Sequence, residues 1–195
     1  WATEYNRSYI KKYNAGGKLL KEIRGNGGSG QQQFRYPGKI AVDTNDNIYF
    51  IDTGNKRMMS YDSSGNWRCT SNTFNLVPGS PYTNWADIEV TTTNKIIVNL
   101  EDIAHVYDTG CSLTQSVTGN AIYYDDGPHA MDQNDKSYYF GVQGQCLFRY
   151  DSSTFFTQSK EKEDCFIPHK ASLGKPYDIE VDGSNRLYIL SSTNH

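Results

Sequence analysis

The chain has 195 residues, 36% of them apolar and 21% charged, which is the balance of a globular protein with a real core. Its net charge is -3 and its basic residues are scattered, which excludes a phosphate-neutralising nucleic-acid surface, and no apolar run is long enough to insert into a membrane. Tyr (15) and Gly (17) are abundant and polar turn formers separate short apolar runs, so an all-β chain of many short strands is expected.

Residues 1–30 open the chain in mid-unit. With the strands of a recurring unit lettered A to D from the inside outward, this stretch supplies the end of B, then C and D. The basis is that Trp1-Ala-Thr-Glu-Tyr-Asn6 aligns with Phe50-Ile-Asp-Thr-Gly-Asn55 further on. Trp1 stands where an initiator Met would be, so a processed or partial product is expected. Asn6-Arg7-Ser8 is the only N-glycosylation sequon. Gly25-Asn-Gly-Gly-Ser-Gly30 is rich in glycine, but it leads through Gln33-Phe34-Arg35-Tyr36-Pro37-Gly38 into a strand and not a helix. It therefore lacks the context of a nucleotide-binding loop.

The first complete unit is expected at 37–75, with strand A at 40–42, B at 47–51, C at 57–61 and D at 66–69, separated by turns. Units at 86–118 and 129–160 repeat it, and 176–195 supply A and B of another. The stretches 71–85, 119–128 and 159–173 read as longer connections. The repeat shows best at the A-to-B turns: Asp43-Thr-Asn-Asp-Asn-Ile-Tyr49, Thr91-Thr-Thr-Asn-Lys-Ile-Ile97, Asp132-Gln-Asn-Asp-Lys-Ser-Tyr138 and Asp182-Gly-Ser-Asn-Arg-Leu-Tyr188 align without gaps. The fourth residue of each (Asp46, Asn94, Asp135, Asn185) is Asx, the type that tolerates the left-handed region, so each copy reads as a hairpin turn. A β-unit recurring about every 45 residues implies a β-propeller of four-stranded antiparallel blades.

Residues 25–67 resemble an NHL repeat: Gly25-Asn-Gly-Gly-Ser-Gly, Gln33-Phe34, Pro37, Ile40-Ala-Val-Asp43, Asn47-Ile-Tyr49, Asp52-Thr-Gly-Asn55, Arg57-Met58, Tyr61-Asp62 and Gly65 fall almost position for position. The other repeats depart from it, with Thr91 in place of the Asp and Glu101-Asp102-Ile103-Ala104 in place of the Asp-x-Gly-Asn turn. The resemblance implies a six-bladed ring, of which about four blades are in this chain. The alternatives are a four-bladed ring, in which strand B would be held twice, and a strand-exchanged assembly.

Inner-strand starts and B-to-C loops are expected on one face around the channel. The first inner-strand column reads Lys39, Asp87, Pro128 and Asp178, the next reads Ile40, Ile88, His129 and Ile179, and Glu89 and Glu180 follow. Hard cations take several such oxygens, so Asp87, Glu89, His129, Asp178 and Glu180 are candidate calcium ligands. The expectation is instead a hydrated acidic mouth without a tight metal or other cofactor, its carboxylates facing water or pairing with Lys39 and Lys175. Among NHL-like propellers the amidating lyases hold zinc with several histidines. Here His105 lies on a third strand, His169 in a connection and His195 at the end, so only His129 occupies the channel column and a zinc lyase is poorly supported. Tyr5, Trp85 and Tyr177, with Lys39, form a candidate binding patch for a glycan or protein ligand.

The four cysteines lack metal spacing, which favours disulfides and an oxidising compartment. Cys146 and Cys165 are expected to pair within one blade, and Cys69 with Cys111 across consecutive blades. The chain is thus expected to be a secreted, non-catalytic propeller acting as a binding or assembly module. Competing readings are a subunit of an extracellular fibre, self-associating through exposed strands, and a metalloenzyme with further ligands elsewhere.

Overall fold

The computed structural model describes residues 1–74, 86–100, 103–118, 129–141, 146–151, 167–168 and 176–191. Five sheets are built from strands in chain order. The first holds β1 (Ala2–Glu4), β2 (Tyr9–Tyr13) and β3 (Leu19–Arg24). The second holds β4 (Pro37–Val42), β5 (Ile48–Asp52), β6 (Arg57–Tyr61) and β7 (Trp67–Thr70). The third holds β8 (Asp87–Val90), β9 (Ile96–Leu100), β10 (Ile103–Tyr107) and β11 (Leu113–Thr118). The fourth holds β12 (His129–Met131), β13 (Lys136–Gly141), β14 (Cys146–Asp151) and β15 (Ile167–Pro168), and the fifth β16 (Pro176–Val181) and β17 (Leu187–Ser191). Among the described residues the only helical turns are of 3-10 type, at Tyr5–Arg7 and Thr53–Asn55. This is the blade architecture expected of a β-propeller.

The A-to-B hairpins share one turn. Asp46, Asn94, Asp135 and Asn185 all lie in the left-handed region, at φ 61, 58, 58 and 59°. In each turn the first residue also accepts back into its own loop: Asp43 Oδ1 takes the backbone N–H of Asn45 and of Asn47, both at 2.9 Å. Asp132 and Asp182 do the same, and Thr91 holds the N–H of Lys95. This is a type I turn closed by a left-handed residue, a standard three-residue hairpin loop. The same turn recurs between strands C and D at Asn14, Asp62 and Asp108, with Gly17, Gly65 and Cys111 as the left-handed residue.

Three expectations need correction. The alignment of Trp1–Asn6 is displaced by one residue: both 3-10 turns close on a left-handed residue, Ser8 and Lys56, each at φ 55°, and Glu4 pairs with Tyr9 as Asp52 pairs with Arg57. Glu4 therefore occupies the position of Asp52. Strand β4 begins at Pro37, before the expected 40, because a bulge between Pro37 and Ile40 lets the lead-in join the ladder. The outer strand of the fourth sheet, Ile167–Pro168, lies beyond the expected limit of 160, in what reads as a connection from sequence.

The chain divides into two compact units, Trp1–Leu100 with His105–Ser116, and Glu101–Ala104 with Val117–His195. In the first, alternate residues of β5 feed two cores. Ile48 and Phe50 pack with Ile10, Ile23, Phe34, Met59 and Tyr61, while Tyr49 and Ile51 pack with Met58, Ile88, Ile96, Val98 and Tyr107. Burial on both faces explains why β5 reads as an unbroken apolar run. In the second unit, Ala130, Tyr138 and Ile179 form a smaller cluster with Val181, Leu187 and Ile189.

Candidate functional site

The Gly-rich lead-in is fixed by a buried charge. Asp52, fully buried at the end of β5, accepts from the backbone N–H of Arg35 (3.0 Å), from Asn55 Nδ2 (2.7 Å) and from Arg57 Nε (2.9 Å). Arg57 then donates to the carbonyls of Gly30 and Gln33, and Asn55 to that of Gly28. The motif Asp-x-x-Asn-x-Arg is thus a strap over 28–35, and its carboxylate is paired as a buried charge must be. Gly25 is required by close approach, since a Cβ there would lie 2.3 Å from the carbonyl oxygen of Phe34.

The strap delivers Tyr36 in the left-handed region at φ 53°, an unfavourable place for a bulky residue. Its N–H donates to Ser8 Oγ at 3.4 Å. Its ring stacks on Tyr5 with centroids 5.1 Å apart and planes 26° from parallel, and both residues are 44% exposed. Tyr5 belongs to the 3-10 turn between β1 and β2, and Tyr36 precedes β4, so the loops of two sheets meet here. Sequence reasoning singled out Tyr5 and missed Tyr36. The missing signal was the strap, which is not visible until Asp52 and Arg35 are in contact.

Lys39 lies exposed on β4, Trp85 is outside the described residues, and Tyr177 falls in β16 of the second unit. Of the acidic column, Asp87 and Glu89 sit buried on one face of the third sheet, opposite Asn99 and Ile97 on β9. Asp87 Oδ1 takes the N–H of Ile88 at 2.8 Å. Asp178 is half-buried and Glu180 exposed on β16, and His129 opens β12 opposite Tyr139. Among the described residues no three His, Cys, Asp or Glu side chains come together as metal ligands. Pro128, Lys175, His169 and His195 lie outside the described residues.

His105 stacks parallel to Phe74 (7°, centroids 6.4 Å) with Nδ1 2.9 Å from Ser116 Oγ, and burial holds its pKa below the ordinary value. It is a packing residue. The recurrent tyrosines divide by position. Tyr49, Tyr138 and Tyr188 return their hydroxyls to the turn aspartates Asp43, Asp132 and Asp182 at 3.1 to 3.3 Å. Tyr61 and Tyr107 are buried, and desolvation pushes both phenols up to about 12. Cys69 and Cys111 form a disulfide with Cα atoms 5.8 Å apart, tying β7 to the turn between β10 and β11. It fits an oxidising environment. Cys165 lies outside the described residues, and with it the expected Cys146 to Cys165 pair.

No family model matches the chain, and no curated protein does. Among solved structures it is similar to virginiamycin B lyase from Staphylococcus aureus at 12% identity and a TM-score of 0.61, covering 97% of this chain and 58% of that one. A streptogramin B lyase aligns at 12% identity and 0.61, covering 99% and 65%. A protein of unknown function from Bacteroides thetaiotaomicron aligns at 15% and 0.56, covering 80% and 44%. The chain therefore spans about three fifths of the length of these lyases. At such identity the likeness establishes the fold alone, a β-propeller.

Proposed function

We propose that the chain is part of a secreted, NHL-type β-propeller that binds a protein or glycan ligand and carries out no chemistry itself. The observation that supports this most is the exposed, stacked pair Tyr5 and Tyr36, kept outward at the expense of backbone strain. Aromatic rings with polar tips are the side chains that most often anchor recognition surfaces, and their faces suit the C–H side of a sugar ring. The Cys69 to Cys111 bridge supports an extracellular setting. The test uses unglycosylated chain on glycan arrays and on immobilised extracellular peptides. Tyr5→Ala and Tyr36→Ala should each weaken a captured ligand about ten-fold, with Tyr13→Ala, another exposed tyrosine, as the control. Equal binding by all four proteins defeats the reading.

A second reading, a fibre subunit, draws on exposed leucines along the outermost strands, Leu19 and Leu20 on β3 and Leu113 on β11. Sedimentation over a range of concentrations tests it, since association that Leu20→Lys abolishes would favour assembly over ligand capture.

A further inference from the structure

The Asn6-Arg7-Ser8 sequon follows Tyr5 directly in the chain, and its Ser8 is tied to Tyr36. Asn6 is the middle residue of the 3-10 turn Tyr5–Arg7 and is exposed, so its side-chain amide is open to solvent. Tyr5 is its immediate neighbour and presents ring surface beside Tyr36. Ser8, the hydroxyl residue that the sequon needs, is buried in the fold and its Oγ receives the N–H of Tyr36. The same hydroxyl therefore serves twice, first in the emerging chain and then as a tie to Tyr36 once the chain has folded.

We propose that Asn6 carries an N-linked glycan whose first sugar lies on the Tyr5 ring, so that the occupant of the tyrosine patch is the chain's own carbohydrate. The proposal rests on the reading of that patch as a recognition surface and names what covers it. In the modification, Asn6 Nδ2 attacks the anomeric carbon of a polyprenyl-diphosphate-linked oligosaccharide held by its transferase. The C–N bond forms, the C–O bond to diphosphate breaks, the amide proton passes to a base of the transferase, and the lipid diphosphate leaves. No redox partner is needed. A pyranose ring carries one face of C–H bonds with slight positive charge, which suits the electron-rich face of a phenol. Tyr5, adjoining the attachment point, is within reach of the first sugar, and Tyr36 stiffens it from the side.

The test is secretion of the whole chain from a glycosylating eukaryotic host. Peptide mapping should find the glycan on Asn6 and lose it in Asn6→Gln, and an unmodified Asn6 in the secreted chain overturns the proposal. The glycosylated chain should melt about 2–4 °C above Asn6→Gln, the shift expected for a contact of the size of one aromatic pair. In Tyr5→Ala and Tyr5→Leu backgrounds that difference should vanish. An equal increment with and without the Tyr5 ring overturns the sugar contact. Bacterially made chain, which lacks the glycan, separates the two readings: its failure to capture any ligand sinks the binding function alone, whereas the glycan tests stand on mass and melting.

Discussion

Asp43 holds four donors within its own hairpin: two backbone N–H groups, the Asn47 amide at 2.8 Å and the Tyr49 hydroxyl. Tyr49 also receives Arg68 at 2.7 Å, so this buried phenol oxygen is shared between a carboxylate and a guanidinium. Removing it by Tyr49→Phe leaves both partners short inside the core and should cost about 1–3 kcal/mol in urea unfolding. Tyr188→Phe removes the same kind of bond at an exposed position and should cost less than half as much. Where Thr91 replaces the aspartate, Ile97 replaces the tyrosine, so the pair is lost together. The left-handed Asx residues were legible in the sequence because Asx at that position has a local cause. The Asp to Tyr bond was not, because recurring tyrosines also suit packing between blades. Asp62 and Asp182 titrate below the ordinary carboxylate range, each chiefly through a backbone N–H in its turn, from Asn66 and Arg186. A folded pKa below the unfolded one contributes stability that is present above about pH 4 and is lost as pH falls through the folded values. Melting followed from pH 6 to pH 3 should decline at the acid end, and less steeply in Asp182→Asn.

At the scale of the element, β5 carries both cores of the first unit and ends on Asp52, so its C-terminal end joins packing to the strap over the lead-in. Asp52→Ala would strand the largely buried Arg57 guanidinium and release 28–35, at a cost of about 3–5 kcal/mol by denaturant titration. Tyr36 should follow, so the variant should also lose whatever the tyrosine pair captures. The disulfide closes a segment with a sequence separation of 42, for which loop entropy suggests a stabilisation of about 4 kcal/mol. Cys69→Ser with Cys111→Ser, compared with the oxidised parent in guanidinium, measures it. The existence of the strands was legible, save for the outer strand of the fourth sheet, because alternation and turn residues are local signals. The early start of β4 and the late outer strand of the fourth sheet were not, since a bulge and a long connection are settled by pairing partners far away in sequence.

At the scale of the molecule, the described residues of the two units form cores of different size. The first has two clusters, each gathering aromatic and branched side chains from neighbouring sheets, whereas the described core of the second is three buried residues with Val181, Leu187 and Ile189 beside them. Tyr188 and Leu190 on β17 remain more than half exposed. Hydrogen exchange should therefore be slower along the buried β5 and β6 than along β17, and equal protection of the two would contradict this difference in exposure. The tyrosine pair belongs to the first unit, beside a cluster that includes Phe34 and Phe50, which suits a surface that must keep its shape. Every strand in the described sheets lies beside its neighbour in chain order, and the described A-to-B and C-to-D turns are each closed by bonds among five consecutive residues. The search that a folding chain must make is consequently short. Each of these hairpins has its own means of nucleation, and what remains is to pair hairpins into sheets and to stack the sheets, so refolding should outpace that of a β-sandwich of equal length, whose pairings come from distant parts of the chain.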